Sequence, residues 1–256
     1  MLVYMNLLEL IEAIKDYEYD LMDIIFNYVF IPCVTNKTNQ KYVRALPYTD
    51  THTIHNKQFQ GDTNLKMVII DDSVKIISDN AFKDCIFLKY VKFHNKLEII
   101  QDYAFQHCSS LVNMYIPNNV HYVGVLAFDG CSKLKKVILP DKINSINYGL
   151  FYKCHNLRIV NIPQNVTSIY DHAFYSCLKL QNLKISHGVT FLGDAVFALC
   201  KNLKIIHIPE SINFYGSDVF YKCHQLHIAY VPNKPFLSNL FSHHQTKLTY
   251  KPIINA

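Results

Sequence analysis

Residues 171–192 read DHAFYSCLKLQNLKISHGVTFL, and this pattern recurs along the chain every 23 residues. Phe174 marks the interval, and Cys177 follows it by three positions. A fixed period of this length indicates a solenoid, in which neighbouring repeats share one continuous core. The recurring pairs are Phe82 and Cys85, Phe105 and Cys108, Phe128 and Cys131, Phe151 and Cys154, Phe174 and Cys177, Phe197 and Cys200, and Phe220 and Cys223.

Each repeat combines two apolar spacings. Leu183 and Ile185 alternate with polar neighbours, which is the period of a strand, and Leu180 precedes them. Phe174 and Cys177 are three residues apart, a spacing that places both on one face of a short helical turn. We therefore predict a repeat solenoid with one short parallel strand and one short helical turn in every 23-residue rung. Aspartates in four repeats precede the phenylalanine at the distance of a turn cap: Asp79, Asp102, Asp171 and Asp194.

The register divides the chain into three parts. Residues 59–231 form the predicted solenoid of about eight rungs. Residues 1–58 are predicted to be a helical N-terminal cap, because apolar residues recur at helical spacing until Pro32. A degenerate first repeat is a second element of this segment, since Ile54 and Phe59 fall in register with the later repeats. Residues 232–256 are predicted to be the C-terminal cap.

The N-terminal segment has two interpretations. It shields the apolar face of the first rung, as the end of any solenoid requires. Alternatively it is a small adaptor module: an F-box-like helical segment ahead of repeats would make the chain the substrate-receptor subunit of a ubiquitin ligase. The Leu-Pro opening expected of such a segment is absent from the helical pattern of residues 7–28.

Composition indicates an intracellular, most simply cytoplasmic, protein. Glu9, Glu12 and Asp16 interrupt the apolar residues near the N-terminus, where a secretory signal requires an uncharged core. No apolar run is long enough to cross a bilayer, so no membrane association is predicted. The formal net charge of +5 is only mildly basic.

The Leu-x-x-Leu-x-Leu-like strand with an Ala-Phe-x-x-Cys turn resembles the BspA-like leucine-rich-repeat family, whose repeat is also 23 residues long. His94, Leu150 and Ser186 depart from the usual proline or alanine in single rungs. The resemblance implies a parallel-stranded solenoid. It also implies adhesion or ligand binding for some secreted relatives, and leaves the function of many intracellular relatives undefined.

The cysteine column is interpreted as structural. Equivalent residues on neighbouring rungs would lie about 5 Å apart, a distance that permits disulfides. One cysteine per rung in a reducing compartment instead favours buried thiols that fill the core. Zinc is disfavoured because no Cys-x-x-Cys occurs, and we predict no metal and no cofactor. A glycine-rich phosphate loop and a nucleophile elbow are also absent, so we predict no enzyme.

The residues between the inward positions of each strand form exposed columns, which we call the sheet face. These columns combine lysines with tyrosines and isoleucines and contain no acidic residue. The candidate partner-binding residues are Lys89, Tyr90, Lys92, Tyr115, Lys135, Lys136, Ile138, Arg158, Ile159, Lys184, Lys204, Ile205, His207 and Tyr230.

Three functions fit this face. A non-enzymatic scaffold that docks a protein partner with an acidic surface is favoured, because aromatic and apolar anchors surrounded by charge are typical of interfaces. Nucleic-acid binding is the less favoured alternative, in which lysines follow phosphates and tyrosines stack on bases. An ordinary solvated sheet with no specific partner is the third. We predict a monomer.

Overall fold

The fold is that of a computed structural model. The structure describes residues 52–232 and 240–241 with their side chains, and residues 43–45 and 249–251 as backbone alone. All of them belong to the compact unit Lys41–Ala256. Most of the helical cap or adaptor predicted for residues 1–58, and most of the cap predicted for residues 232–256, lie outside the described residues.

Two sets of short strands run through the described residues. The first set, whose members from β3 to β17 follow the leucine of a repeat, comprises β1 (Val43–Ala45), β3 (Met67–Ile70), β5 (Tyr90–Lys92), β7 (Asn113–Tyr115), β9 (Lys136–Ile138), β11 (Ile159–Val160), β13 (Asn182–Lys184), β15 (Ile205–His207), β17 (Ile228–Tyr230) and β18 (Thr249–Lys251). The strands of the return segments are β2 (Thr53–Ile54), β4 (Ile76–Ile77), β6 (Ile99–Ile100), β8 (Tyr122–Val123), β10 (Ser145–Ile146), β12 (Ser168–Ile169), β14 (Phe191–Leu192) and β16 (Phe214–Tyr215).

All strand pairs are parallel and join neighbouring rungs. On the first side the orders are β1-β3-β5, β7-β9-β11 and β13-β15-β17-β18, and on the second side β2-β4-β6-β8 and β10-β12-β14-β16. Paired residues are 23 positions apart in all but the two terminal pairs of the first side, as in Ile205 with Ile228. β1 and β3 pair residues 25 positions apart, and β17 and β18 pair residues 21 apart. The predicted parallel-stranded solenoid is therefore confirmed.

The prediction of one strand per rung was wrong, because the return segment forms a second strand. In β12, Ile169 is buried while Ser168 is half-buried, so even two residues present one inward and one outward side chain. Ser168 pairs in register with Phe191 of the next rung. Neighbouring rungs therefore support a strand that would be too short to form alone.

The predicted helical turn was also wrong: residues 52–232 contain no helix. Asn80 and Asp84 have φ values of 57° and 60°, whereas a right-handed helix needs negative φ. The amide of Phe82 donates to the carbonyl of Ala104 on the next rung at 2.8 Å, and the amide of Cys85 donates to Phe82 within its own turn at 3.2 Å. The segment is thus a series of β-turns that forms a third ladder between rungs.

A column of stacked phenylalanine rings fills the core. Neighbouring rings lie between 5.0 Å (Phe220 with Phe241) and 5.9 Å (Phe128 with Phe151) apart at their centroids. Phe59 stacks on Phe82 at 5.1 Å, in the same geometry as the rings that follow. Each buried phenylalanine contributes about 1.5–3 kcal/mol relative to an exposed ring.

The cysteines line this core as hydrogen-bond donors. Each Sγ donates to the carbonyl of the phenylalanine on the preceding rung, at distances from 2.9 Å (Cys85 to Phe59) to 3.3 Å (Cys177 to Phe151). All seven are buried, and none forms a disulfide. The interpretation of this column as buried thiols is confirmed.

The aspartates link rungs rather than cap their own turns. Asp171 Oδ1 accepts the amide of Asp194 at 2.9 Å, and Asp194 Oδ1 accepts the amide of Ser217 at 2.6 Å. A Cβ at Gly193 would lie 2.1 Å from Asp171 Oδ1, so only glycine leaves space for the carboxylate. The turn-cap interpretation failed because the acceptor oxygen reaches an amide 23 residues away.

Candidate functional site

The sheet face lies on the outer side of the first set of strands. Val137, Leu183 and Ile206 point into the core and are buried. The side chains between them are exposed or half-buried. The fourteen predicted residues all belong to this class: Lys89, Tyr90, Lys92, Tyr115, Lys135, Lys136, Ile138, Arg158, Ile159, Lys184, Lys204, Ile205, His207 and Tyr230. The alternation of each strand thus presents the whole predicted set on one side.

Strand pairing brings these residues together in three groups. Interruptions of the ladder between β5 and β7 and between β11 and β13 separate the groups. Lys136 lies beside Ile159 in the central group, and Lys184, His207 and Tyr230 form one register column in the third. The face is therefore three adjoining patches rather than one uninterrupted sheet.

Aromatic rings hold several of the charged side chains in place. Lys136 Nζ lies 5.2 Å from the centre of the Tyr115 ring, and Lys89 Nζ lies 5.2 Å from that of Tyr90. The rings of His207 and Tyr230 stack at 4.2 Å. A lysine positioned over a ring is attracted by its electron-rich face, which limits the conformations of the charged group.

The pKa of His207 is lowered, first by partial burial and second by the charge of Lys184. Its imidazole is therefore predominantly neutral near pH 7. A carboxylate docked beside Lys184 would reverse the second effect and favour the protonated ring.

The charge of the surrounding surface is more one-sided than the net charge suggests. Seven segments of eight residues, which carry the first strands and the turns leading into them, contain ten lysines and arginines and no acidic residue: residues 86–93, 109–116, 132–139, 155–162, 178–185, 201–208 and 224–231. Among the described residues, Lys135, Arg158 and Lys204 form no ion pair. We call these seven segments the cationic surface, because five of them carry lysine or arginine and none carries an acidic residue.

Six of the seven buried thiols of the column have a raised pKa, whereas the pKa of Cys85 is lowered, first by its hydrogen bond with Cys108. Burial raises the pKa of Cys131, Cys154 and Cys177, and it raises that of Cys223 to about 12. Because the thiolate is the nucleophile and metal ligand, these cysteines are poorly suited to either role. Among the residues that the structure describes, no group of three His, Cys, Asp or Glu side chains is placed to hold a metal ion.

Comparison with known proteins identifies the repeat. The sequence matches the BspA type leucine rich repeat region in six copies, over residues 24–157 and 125–247. The chain belongs to the BspA-type leucine-rich-repeat family. No curated protein matches it closely enough to count as a relative.

Solved structures of other leucine-rich-repeat proteins share the fold of this BspA-type chain. One, from Bacteroides ovatus, is 25% identical with a TM-score of 0.60, and the match covers 85% of this chain and 61% of that protein. The T. pallidum leucine-rich-repeat protein is 23% identical with a TM-score of 0.54, and the match covers 82% of this chain and 86% of that one. The chain thus spans less than two thirds of the Bacteroides protein.

Two features of this BspA-type repeat escaped the sequence analysis. Lys133, Lys179 and Lys201 extend the cationic surface from the strands onto the preceding turns, and aligning the turns as well as the strands would have revealed them. The aromatic side chains on the second set of strands were not singled out, because the return segment was not identified as a strand.

The described residues contain no helix with the length and apolar character needed to span a membrane.

Proposed function

We propose that this chain is a non-enzymatic protein-interaction scaffold that docks an acidic protein on its sheet face. The observation that carries the proposal is the cationic surface, in which ten lysines and arginines occur without one acidic residue. Such a surface attracts partners of opposite charge and repels those of like charge. Leucine-rich-repeat solenoids present extended surfaces of this kind for binding.

Apolar side chains within the cationic surface favour a protein partner. Ile159 is 55% exposed at the start of β11, where it follows Arg158 in sequence and pairs with Lys136 of the preceding rung. Ile205 and Tyr230 are half-buried on neighbouring strands. Aromatic and arginine anchors surrounded by polar groups contribute most of the binding free energy in protein interfaces.

Nucleic-acid binding is the alternative that the same charges favour. Bases stack on exposed aromatic faces in proteins that bind single strands. Here Lys136 lies over the Tyr115 ring, Lys89 lies over Tyr90, and His207 stacks on Tyr230. Because a side chain already lies against one face of each of these rings, a base could stack only on the opposite face, which favours protein docking over nucleic-acid binding.

The ubiquitin-ligase adaptor and the helical cap depend on residues outside the described ranges and remain predictions. The cytoplasmic location also remains a prediction, and so does the monomeric state, which the self-association proposed below would replace. None of them is needed for docking on the sheet face.

The test is affinity capture from a lysate of the cells that express the chain, with and without nuclease. The sheet-face variant combines Lys135→Glu, Arg158→Glu and Lys204→Glu. The control variant combines Lys57→Glu, Lys142→Glu and Lys222→Glu, which changes the net charge equally but lies outside the cationic surface.

We expect the wild type and the control variant to retain a defined acidic protein that the sheet-face variant loses, whether or not nuclease is present. Capture that disappears with nuclease would replace this proposal by nucleic-acid binding. Equal retention by both variants would show that the sheet face is not the docking surface.

A further inference from the structure

The last five strands of the second set lie in segments that carry no positive lysine or arginine charge. Five segments that contain β8, β10, β12, β14 and β16 have no lysine or arginine, and their acidic residues are Asp171, Asp194 and Asp218: residues 121–126, 144–149, 167–172, 190–195 and 213–218. The seven segments of the cationic surface therefore lack acidic residues, and these five segments lack lysine and arginine.

Large aromatic side chains are exposed on these five segments. Phe214 is 57% exposed, and Tyr148 and Tyr170 are each 43% exposed. Phe191 stacks on Phe214 at 5.2 Å and lies 5.8 Å from Tyr170. We call Tyr148, Tyr170, Asp171, Phe191, Asp194 and Phe214 the aromatic face.

The fold does not require these phenylalanines. The positions equivalent to Phe191 and Phe214 in the two preceding rungs are Ser145 and Ser168, and the strands there pair in the same way. Solvent-exposed phenylalanine in place of serine leaves apolar surface in water, and a cluster of such residues marks an interaction site.

The carboxylates of this face remain available for ion pairing. Asp171 and Asp194 each accept an amide of the next rung through Oδ1. Within the described part of the chain neither forms an ion pair. A partner would therefore meet negative charge beside aromatic rings, an arrangement that suits lysine and arginine side chains.

We propose that the aromatic face docks on the sheet face of a second copy of this chain. The inference rests on the proposed function, because it names a partner for the same sheet face. Lysines and arginines of one copy would lie over Tyr170 and Phe214 of the other and pair with Asp171 and Asp194.

The repeat interval favours a second copy over an unrelated partner. Asp171 and Asp194 lie at equivalent positions of neighbouring rungs on the aromatic face, and Lys135 and Arg158 do so on the sheet face. Paired strands lie about 4.8 Å apart, so two copies with parallel axes can match this pair of cations to this pair of carboxylates. The contact is heterologous because it joins two different surfaces. A dimer therefore leaves one aromatic face and one sheet face uncovered.

The test is sedimentation velocity of the full chain over roughly a hundredfold range of concentration, at about 50 mM and about 500 mM salt. We expect reversible association at low salt that high salt abolishes. Asp171→Asn with Asp194→Asn retains both Oδ1 acceptors, removes two charges, and should weaken association about tenfold. Phe191→Ser with Phe214→Ser restores the residue type of the preceding rungs and should also weaken it, whereas Asp141→Asn should not.

Mixing the sheet-face variant with the aspartate variant tests whether the two different surfaces bind each other. The sheet-face variant retains its aromatic face, and the aspartate variant retains its sheet face, so each alone should associate more weakly than the wild type, and the mixture should form dimers at concentrations where each variant alone is monomeric. A wild type that stays monomeric at low salt would overturn self-docking, while partner capture through the sheet face would leave the proposed function intact. Association that neither variant weakens would also overturn it.

Discussion

Replacing Cys154 by alanine tests the role of the cysteine column. Cys154 Sγ donates to the carbonyl of Phe128 at 3.1 Å, and that carbonyl also accepts the amide of Cys131 at 3.2 Å. Removal of the sulfur therefore leaves no unsatisfied acceptor. The lost stability comprises about 0.8 kcal/mol of transfer free energy for the buried sulfur, about 0.5 kcal/mol for the residual cavity and about 0.5 kcal/mol for the S–H···O bond. We expect the free energy of unfolding to fall by about 2 kcal/mol.

Urea unfolding followed by circular dichroism measures this difference, provided the slope with denaturant is unchanged. Cys154→Ser should be less stable than the alanine variant by about 1 kcal/mol, because the shorter C–O bond brings a buried hydroxyl to a poorer hydrogen-bond distance. An alanine variant as stable as the wild type, or a serine variant more stable than alanine, would refute this account of the column.

Three further predictions concern single positions. Phe151→Ala should lower the free energy of unfolding by about 3–5 kcal/mol in urea, because it removes a buried ring between two stacked neighbours; a loss below that of the cysteine variant would contradict the stacked core. Gly193→Ala should destabilise the fold and lower the midpoint of thermal unfolding, because its Cβ would lie 2.1 Å from Asp171 Oδ1 and 2.5 Å from the Asp171 amide nitrogen; an unchanged midpoint would show that the close approach is not required. Lys184→Gln should raise the pKa of His207 in an NMR titration, since the lysine charge contributes to its lowering; no shift would assign the lowering to burial alone.

The pKa of His207 also sets the sign of a pH effect on stability. A folded pKa below the unfolded value means that the unfolded chain binds the proton more tightly. His207 therefore destabilises the folded protein least at neutral pH and above. The free energy of unfolding begins to fall as the pH drops through the unfolded pKa near 6.5. Lys184→Gln should reduce this decline, which unfolding measured at several pH values would detect.

Much of the architecture could be predicted because burial in a solenoid repeats with the sequence. The interval between Phe174 and Phe197 placed the core ring of each rung, and alternation at Leu183 and Ile185 placed the first strand. The turn could not be predicted in the same way, because a spacing of three residues suits both a helix and consecutive β-turns. The positive φ values of His172 and Ser176 distinguish the β-turns from a helix. Neither histidine nor serine requires a positive φ, so the residue types do not reveal this conformation.

The candidate site was predicted unevenly for a related reason. Columns such as Lys184, His207 and Tyr230 follow from strand alternation, and the structure places them in register. The aromatic face depends on pairing between two-residue strands such as β14 and β16, which are stabilised by their neighbours and leave little periodicity in the sequence. Interactions between rungs, rather than within them, explain what sequence reasoning missed.

The most direct measurement of the cationic surface is a fluorescence-anisotropy titration of labelled poly-L-aspartate with the wild type, the sheet-face variant and the control variant at low salt. The account predicts that the sheet-face variant loses at least about tenfold in affinity while the control variant, with the same net charge, stays within about twofold of the wild type. Equal losses in the two variants would show that overall charge, rather than the sheet face, determines binding and would contradict the central claim.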